Sequence, residues 1–286
     1  MRFGLIANIH RPGARESIDR FLNWVKENHH TVVLSDELKE IGGKQDSLPR
    51  NEIAPKVDII VSMGGDGTLL ASARAVGKAG TPLLGINLGS LGFLTQITLK
   101  DMNLALDRIA NDDFHIEERM LLKASISGKE LPYPYALNDI VVDKGAVSRL
   151  IEINFRVNGR HVVSYRADGM VIATPTGSTA YSLAVGGPIV HPRMQGIIAS
   201  PISSFSLTTR PMVIHPNDVL ELTIQSDDRV AGFTIDGQIM VPLMDTEVVT
   251  IRRAEFNANF VAFPETSFFK VLRNKLHWGI QPKTEE

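Results

Sequence analysis

The sequence predicts an α/β N-terminal domain with a mostly parallel sheet, followed by a C-terminal antiparallel all-β domain of sandwich- or prism-like form. In residues 1–100, short apolar runs alternate with amphipathic segments, as expected for strands joined by crossover helices. In residues 101–265, strands with a two-residue period are separated by turns, and Asn158-Gly159 is a strong signal for a two-residue hairpin turn. Residues 266–286 return to helical spacing, so we expect a tail that packs on the first domain.

The elements of the first domain follow from local periodicity. Ile18, Phe21, Leu22 and Val25 have the spacing of one face of an amphipathic helix. The segment 39–55 is polar and contains glycine and proline, so it is predicted to be a mobile loop. Strands are expected at 3–9, 31–34, 57–63 and 82–86, and further helices at 69–78 and 101–110.

The second domain is predicted to consist of strands with turn residues between them. Asp227-Asp228 and Asp236-Gly237 are predicted turns, and the second is interpreted as a hairpin turn. Phe268, Leu272 and Leu276 have helical spacing and predict a terminal helix. Strands are expected at 151–157, 161–165, 219–225, 230–235 and 248–252.

Composition narrows the class of protein. The 286 residues include no cysteine, which excludes disulfides, thiolate nucleophiles and cysteine-ligated metals. The 30 Lys and Arg against 32 Asp and Glu give a formal net charge of −2, which argues against a nucleic-acid partner. The eight histidines have no metal-binding spacing, so no metal site built from protein ligands is predicted. Without an apolar run of about 18–20 residues or a signal peptide, we expect a cytoplasmic protein with no membrane partner.

The first candidate site is the glycine loop Gly64-Gly65-Asp66-Gly67-Thr68, between a predicted strand and a predicted helix. Its glycines permit positive φ angles and close approach of the backbone to a ligand, and the helix N-terminus behind them suits a phosphate. The loop is neither a Walker A sequence nor a dinucleotide-binding G-x-G-x-x-G sequence. The alternative is a tight turn in which Asp66 or Thr68 caps the helix.

A second glycine-rich loop follows the next predicted strand. It runs from Asn87 to Leu94 and contains Gly89 and Gly92. In a parallel sheet, two such loops open at the same carboxyl edge, where ligands bind. The alternative is that these glycines only punctuate a loop.

Two further candidates lie in the predicted β domain. Asp168-Gly169 precedes a strand and then the run 174–181, Thr-Pro-Thr-Gly-Ser-Thr-Ala-Tyr, whose hydroxyls and backbone N–H groups suit phosphate or ribose. Asn138-Asp139 places an amide beside a carboxylate, a pair that can hold two ribose hydroxyls. The alternatives are a Ser/Thr-rich turn capping a helix at 180–185 and a simple Asx turn at 138–139.

The order of these motifs, with Gly-Gly-Pro-Ile at 186–189 and Lys-Leu-His-Trp-Gly at 275–279, resembles the bacterial NAD kinases over essentially the whole chain. The resemblance implies transfer of the terminal phosphoryl group of ATP, or of polyphosphate, to the 2′-hydroxyl of the adenosine ribose of NAD. It implies that Asp66 is the catalytic base, that Mg²⁺ or another divalent cation accompanies ATP, and that the chain forms a homodimer or homotetramer. In relatives, an arginine at the position of Arg166 goes with a preference for NAD over NADH, so the resemblance implies that NAD is the substrate.

The resemblance also assigns binding residues, mostly in the β domain, which would then be the dinucleotide-binding domain. The substrate-binding positions are Gly67, Asn138, Asp139, Arg149, Arg166, Asp168, Thr179, Ala180, Tyr181, Ser182, Ala184 and Gln238. The phosphate-loop positions are Gly64, Gly65, Thr68, Asn87 and Gly89. Many relatives carry Glu where this chain has Asp139, a substitution that keeps the charge.

Two other functions remain open from the sequence. A lipid or sugar kinase would share only the loop from Gly64 to Thr68, and would leave the run 174–181 unexplained. A non-catalytic dinucleotide sensor would share the pocket, but it would have no chemical need for Asp66.

Overall fold

The computed structural model describes residues 1–43, 45–89, 92–95, 97–145, 149–226, 230–265 and 267–276. In these ranges, no helix is both long enough and apolar enough to cross a membrane. The predicted turn at 227–228, residues 90 and 91 of the second glycine-rich loop and residues 277–279 of the terminal motif lie outside the described residues.

The chain alternates strands and helices at first and then consists mainly of strands. Its strands are β1 (Arg2–Ala7), β2 (Thr31–Ser35), β3 (Asp46–Leu48), β4 (Ile59–Gly64), β5 (Leu83–Asn87), β6 (Ile97–Thr98), β7 (His115–Ile126), β8 (Tyr135–Ala136), β9 (Asp139–Asp143), β10 (Ile151–Val157), β11 (Arg160–Ala167), β12 (Gly169–Ala173), β13 (Ile197–Ile202), β14 (Met212–Ile214), β15 (Leu220–Gln225), β16 (Val230–Ile235), β17 (Ile239–Met244) and β18 (Val249–Ala262). Its α-helices are α1 (Ala14–Glu27), α2 (Arg50–Ile53), α3 (Asp66–Val76), α4 (Met102–Ala110), α5 (Tyr181–Ala184) and α6 (Phe268–Leu276). Short 3-10 turns occupy Asp36–Leu38, Ala54–Lys56, Gly77–Ala79 and Thr176–Thr179.

The chain forms two compact units, one from Met1–Glu118 with Ala258–Glu286 and one from Arg119–Asn257. The predicted fold class is confirmed, because the strands of the first unit pair in parallel and those of the second unit pair antiparallel. The domain boundaries expected at residues 100 and 265 stay a prediction.

The first unit is a parallel sheet with helices on both faces. Its strand order is β3-β2-β1-β4-β5, and Phe260 of β18 lies beside Leu83 of β5 in parallel. Alternate side chains of these strands join the apolar faces of α1 and α4 in one core. On the opposite face, Ile53 of α2 packs so closely on Gly4 of β1 that a Cβ there would lie 2.6 Å from Ile53 Cγ2.

The prediction that residues 39–55 form a loop was wrong for residues 46–55. Strand β3 pairs in parallel with β2, and Ile53 of the following helical turn is fully buried. A three-residue strand is too short to show a period, so its pairing with the sheet edge decides its conformation.

The second unit packs two antiparallel sheets around one core. One sheet has the order β14-β13-β12-β9-β16-β17, and the other contains β11, β10, β15 and residues 249–251 of β18. Inward side chains of both sheets share a core that includes Phe155 and Phe233. The predicted hairpin turn is confirmed, since Asn158 and Gly159 have φ angles of 50° and 73°.

The predicted terminal helix is present as α6. Its buried residues are Val271 and Leu272, whereas Leu276 is 38% exposed. The helix predicted from the spacing of Phe268, Leu272 and Leu276 is therefore confirmed, and its buried face is centred on Val271 and Leu272.

Candidate functional site

The two glycine-rich loops of the first unit open side by side at the carboxyl ends of β4 and β5. Gly64 and Asn87 are paired residues of these adjacent strands, and the Leu88 N–H donates to the Gly64 carbonyl oxygen at 2.9 Å. This is the edge at which a parallel sheet binds its ligands. The sequence-based expectation of a shared opening is therefore met by the strand register.

Asp66 begins α3, but its side chain does not cap the helix. Gly65 occupies the N-cap position, and no side chain makes a capping hydrogen bond there. The interpretation of this loop as a turn capped by Asp66 or Thr68 was therefore wrong. The carboxylate of Asp66 instead accepts hydrogen bonds from the second glycine-rich loop.

Residues 93–95 surround the Asp66 carboxylate with donors. Its Oδ2 accepts the Phe93 N–H at 2.9 Å, and its Oδ1 accepts the N–H groups of Leu94 and Thr95 at 3.2 and 3.0 Å. The Thr95 hydroxyl donates to the same Oδ1 at 2.9 Å. Four donors therefore fix the plane of this half-buried carboxylate.

The glycines of these loops serve close packing. Gly65 has a φ angle of −121°, and neither Gly64 nor Gly67 has a positive φ, so the loop does not use the positive φ angles that glycine permits. A Cβ on Gly64 would lie 2.2 Å from Thr68 Oγ1, and a Cβ on Gly92 would lie 2.0 Å from Asp66 Oδ1. Gly67 faces open space, with no atom within 4 Å of such a Cβ.

Asn87 and Gly89, both expected in the phosphate loop, are joined to each other and to Thr95. Asn87 is 5% exposed, its Oδ1 accepts the Gly89 N–H at 2.6 Å, and its Nδ2 donates to Thr95 Oγ1 at 2.7 Å. Thr95 is fully buried. A buried relay therefore runs from Asn87 through Thr95 to the carboxylate of Asp66.

Arg11 is a site residue that sequence reasoning missed. Its Nη2 lies 3.6 Å from the position that a Cβ on Gly65 would take, so a guanidinium stands beside the glycine loop. Arg11 follows β1, and β1 is the neighbour of β4 in the sheet. Ligands bind at the carboxyl ends of parallel strands, and this rule, which identified the other two loops, could also have identified Arg11.

In the second unit, Asn138 and Asp139 are held by Asp236. The Asp236 carboxylate accepts the N–H groups of Leu137, Asn138 and Asp139 at 2.9, 2.7 and 3.1 Å. Asp236 also starts the β16–β17 hairpin turn with a φ of 50°. The interpretation of Asp236-Gly237 as only a hairpin turn was therefore incomplete, and Asp236 is a second residue that sequence reasoning missed.

The run 174–181 packs directly on this segment. The Thr174 hydroxyl donates to the Leu137 carbonyl oxygen at 2.6 Å and accepts the Gly177 N–H at 3.0 Å. A Cβ on Gly177 would lie 2.0 Å from the Asn138 carbonyl oxygen, so only glycine fits there. These contacts bring two motifs that are far apart in sequence into one site.

An acidic cavity of about 310 Å³ lies at this junction. It joins two predicted pairs, Asn138 with Asp139 and Ala180 with Tyr181. Its remaining lining residues are Val141, Asp143, Thr234, Asp236 and Gly237. A cavity of this size lined by carboxylates, an amide and a tyrosine can take a ribose and part of a base.

Electrostatics within the cavity favour a protonated carboxyl. Burial, together with the nearby charge of Asp236, raises the pKa of Asp139 to about 7, although the Tyr181 N–H donates to it and works against the rise. Burial and the charges of Asp143, Asp168 and Asp139 raise the pKa of the Tyr181 hydroxyl. Asp139 therefore changes its charge near neutral pH.

The other predicted binding residues differ in their placement. Lys144 Nζ lies 2.7 Å from Asp168 Oδ1 in an ion pair, and Ser182 is buried with its Oγ 3.3 Å from Ser200 Oγ. The Thr179 hydroxyl donates to the Thr176 carbonyl oxygen at 3.2 Å. The predicted substrate-binding residues that are exposed on the surface are Gly67, Arg149, Arg166, Tyr181, Ala184 and Gln238.

The described ranges hold no group of three or more His, Cys, Asp or Glu side chains that could bind a metal ion.

Two family models match the chain in sequence order. The model for the ATP-NAD kinase N-terminal domain matches residues 3–114, and that for the ATP-NAD kinase C-terminal domain matches residues 137–263. Together they cover both units, including the glycine loops and the acidic cavity.

Relatives and solved structures are similar to this chain over nearly its full length. The NAD kinase of Geotalea daltonii is 36% identical over 280 residues, covering 97% of this chain and 99% of the relative, and that of Geobacter sulfurreducens is 37% identical over 281 residues with the same coverage. The structure of an NAD kinase from Archaeoglobus fulgidus in complex with ATP is 28% identical with a TM-score of 0.77, covering 97% of this chain and 98% of that chain. Yeast NADH kinase complexed with NADH, 24% identical, shares the fold with a TM-score of 0.89, covering 100% of this chain and 90% of that chain.

Proposed function

This chain belongs to the ATP-NAD kinase family and is a kinase that acts on NAD, and from that premise we propose that Asp66 is its catalytic base. The reaction transfers the terminal phosphoryl group of ATP to NAD. We assign the acceptor as the 2′-hydroxyl of the adenosine ribose, as the motif order implies. The observation that carries the assignment of Asp66 is its half-buried carboxylate, fixed by four donors at the carboxyl edge of the parallel sheet.

The proposed chemistry is a single displacement at phosphorus. The ribose 2′-oxygen forms a bond to the terminal phosphorus of ATP while the bond to the bridging oxygen breaks, giving NADP and ADP. The proton of the hydroxyl moves to Asp66. Phosphoryl transfer needs little covalent help from the protein, so a positioned carboxylate and electrostatic stabilisation of the phosphates can supply most of the catalysis.

Positive charge for the donor phosphates is proposed to come from Mg²⁺, or another divalent cation, and from Arg11. The cation enters as part of the ATP substrate and neutralises charge on the phosphate oxygens. Arg11 is placed for the same task, because its guanidinium lies beside Gly65. The backbone N–H groups at the start of α3 add the partial positive charge of a helix N-terminus. Polyphosphate could use the same cations, so it is a proposed second donor.

NAD is proposed to bind through the residues that the resemblance assigns in the second unit. Asn138 and Asp139 would hold the adenosine side and Tyr181 would line the adenine pocket, which agrees with their shared cavity. Asp168 would bind the nicotinamide amide. The remaining proposed contacts are Gly67, Arg149, Arg166, Thr179, Ala180, Ser182, Ala184 and Gln238.

The decisive experiment compares Asp66→Asn with the native protein. Purified protein is incubated with NAD and Mg²⁺-ATP, and NADP is measured with an NADP-specific dehydrogenase. We expect turnover to fall at least about 100-fold while NAD affinity stays within about tenfold, because a general base contributes about 10²–10⁴-fold. Asp101→Asn is the matched control, since it changes an exposed carboxylate of the same unit and should leave turnover unchanged.

The same assay separates the alternatives. Near-normal turnover by Asp66→Asn would contradict the base assignment. NAD binding without any NADP from the native protein would indicate a sensor. Phosphorylation of diacylglycerol or a sugar in place of NAD would indicate the other kinase class. Replacing ATP with polyphosphate, and NAD with NADH, tests the proposed donor and the expected preference for NAD.

We further propose that the enzyme is a cytoplasmic homodimer or homotetramer. Large apolar side chains are exposed in the second unit, including Phe205 at 80%, Leu207 at 88% and Val213 at 57%. Exposed apolar groups of this size commonly mark contacts between subunits. Light scattering on the native protein and on Leu207→Asp tests this proposal, and a native monomer at micromolar concentration would contradict it.

A further inference from the structure

The carboxylate of Asp66 is connected to a fully buried threonine that no substrate atom can reach. Thr95 is 0% exposed, and its hydroxyl lies 2.9 Å from Asp66 Oδ1 and 2.7 Å from Asn87 Nδ2. Buried hydroxyls are normally hydrogen-bonded, but this one joins an amide to the proposed base. Thr95 can therefore influence Asp66 only through this hydrogen bond and its backbone.

The direction of the Thr95 hydroxyl proton follows from its neighbours. The Gly89 N–H can only donate, so the side-chain atom of Asn87 that it contacts is the carbonyl oxygen. The other side-chain atom of Asn87 is therefore the NH₂ group, and it donates to Thr95 Oγ1. Since a hydroxyl has one proton and that proton is not needed toward Asn87, it points to Asp66 Oδ1.

The donors are divided unequally between the two carboxylate oxygens of Asp66. Among the described residues, Oδ1 accepts three hydrogen bonds, from Leu94, from the Thr95 backbone and from the Thr95 hydroxyl. Oδ2 accepts one, from Phe93. A carboxylate oxygen has about two acceptor sites, so Oδ1 is saturated and Oδ2 keeps one site open.

We propose that Thr95, oriented by Asn87, is a positioning residue that saturates one oxygen of Asp66 and directs the other oxygen to the substrate hydroxyl. The proposal rests on the proposed role of Asp66 as the base. Thr95 acts through Asp66 and touches no reacting atom. Asn87 then serves to orient the base, which differs from the phosphate-loop role expected from the sequence.

The main test compares Thr95→Val with Thr95→Ser. Valine keeps the shape of threonine but removes the hydroxyl, so we expect kcat to fall by about 10- to 100-fold, as for a lost hydrogen bond to a charged group. KM for NAD and for ATP should stay within about twofold. Serine restores the hydroxyl, so kcat should return to within about threefold of the native value.

Thr81→Val is the matched control. Thr81 is also buried in the first unit, and its hydroxyl donates to the Ala54 carbonyl oxygen at 2.6 Å, away from Asp66. We expect this variant to lose stability without a change in kcat. An equal loss of kcat in Thr81→Val and Thr95→Val would overturn the proposal, because the effect would then be a general result of removing a buried hydroxyl.

A second variant covers the case in which Thr95→Val does not fold. Asn87→Asp keeps the acceptor for Gly89 but removes the NH₂ donor, so the Thr95 proton is free to turn away from Asp66. We expect kcat to fall with KM for ATP unchanged. An increase in KM for ATP at unchanged kcat would instead support the phosphate-loop role of Asn87 and would refute the positioning relay.

A double variant separates this proposal from the assignment of the base. Residues that act through one group are not additive, so adding Thr95→Val to Asp66→Asn should reduce turnover no further. If Asp66→Asn is inactive and Thr95→Val has native kcat, only the positioning role fails. If Asp66→Asn keeps native turnover, the proposed base fails, and the positioning role fails with it.

Discussion

Replacing Asp139 with asparagine is expected to stabilise the protein more at pH 8 than at pH 5. Asp139 is 5% exposed, and burial together with the charge of Asp236 raises its pKa from the ordinary value of 3.8 to about 7. The Tyr181 N–H donates to the carboxylate but does not cancel this rise. Asparagine can accept the same hydrogen bond and cannot ionise, so the variant removes the buried charge.

The size of the effect follows from the difference between the two pKa values. Each tenfold difference in proton affinity corresponds to about 1.4 kcal/mol. A rise from 3.8 to about 7 is about three such factors, so ionising Asp139 in the folded protein costs about 4 kcal/mol at most. Part of that cost is already present at pH 5, because the unfolded chain is ionised there. The part that develops between pH 5 and pH 8 is about 2–3 kcal/mol.

The direction of the effect is set by which state binds the proton more tightly. The folded protein holds the Asp139 proton up to about pH 7, whereas the unfolded chain releases it near pH 4. The stability that the protonated carboxyl contributes is therefore fully present below about pH 4 and is lost as the pH rises through 7. Stability of the native protein should fall across this window relative to that of the Asp139→Asn variant.

Urea unfolding followed by far-ultraviolet circular dichroism at pH 5, 6, 7 and 8 measures this difference. We expect the unfolding free energy of Asp139→Asn, minus that of the native protein, to increase by about 2–3 kcal/mol over the series. Glu130→Gln is the matched control, because it removes an exposed carboxylate from the same unit. Its difference from the native protein should not change with pH.

Two results would refute this reasoning. A constant difference between Asp139→Asn and the native protein from pH 5 to pH 8 would mean that Asp139 is ionised throughout. A difference that decreases with pH would mean that hydrogen bonds to the Asp139 carboxylate outweigh its burial and its repulsion by Asp236. In either case the acidic cavity would carry a stable full charge at neutral pH.

Three further variants test the contacts that build the two sites. Gly177→Ala places a Cβ 2.0 Å from the Asn138 carbonyl oxygen, so we expect a loss of about 1–3 kcal/mol in urea unfolding and weaker NAD binding; native stability would contradict the packing. Gly92→Ala places a Cβ 2.0 Å from Asp66 Oδ1, so kcat should fall by about 100-fold in the NADP assay, and an unchanged kcat would show that the carboxylate position is not critical. Asp236→Ala leaves three backbone N–H groups without their acceptor, so unfolding at pH 5 should become easier by about 1–3 kcal/mol, which an unchanged urea midpoint would disprove.

Part of the strand and helix order could be predicted because it depends on local sequence, whereas strands β7 and β13 were missed. Strand β10 occupies residues 151–157, as its two-residue period predicts, and Asn158 and Gly159 adopt the left-handed conformation that their hairpin turn requires. The helical turn containing Ile53 was missed for the opposite reason. Its buried position is decided by packing on Gly4, which is far from it in the sequence.

The site residues also differ in whether local sequence or a distant contact explains them, and Gly92 is an example. Gly92 was recognisable as loop punctuation, but it is required because Asp66, 26 positions earlier, approaches within 2.0 Å of its missing Cβ. The glycine at position 92 indicates that another group packs closely there, but the sequence does not identify that group. The sequence around Asp236 gives no signal of a distant contact, because a hairpin turn already explains an Asp-Gly pair. Only the fold therefore shows that a carboxylate holds a distant backbone segment. The sequence singled out Asp66 without this contact, and it indicated Asp236 only as a turn residue.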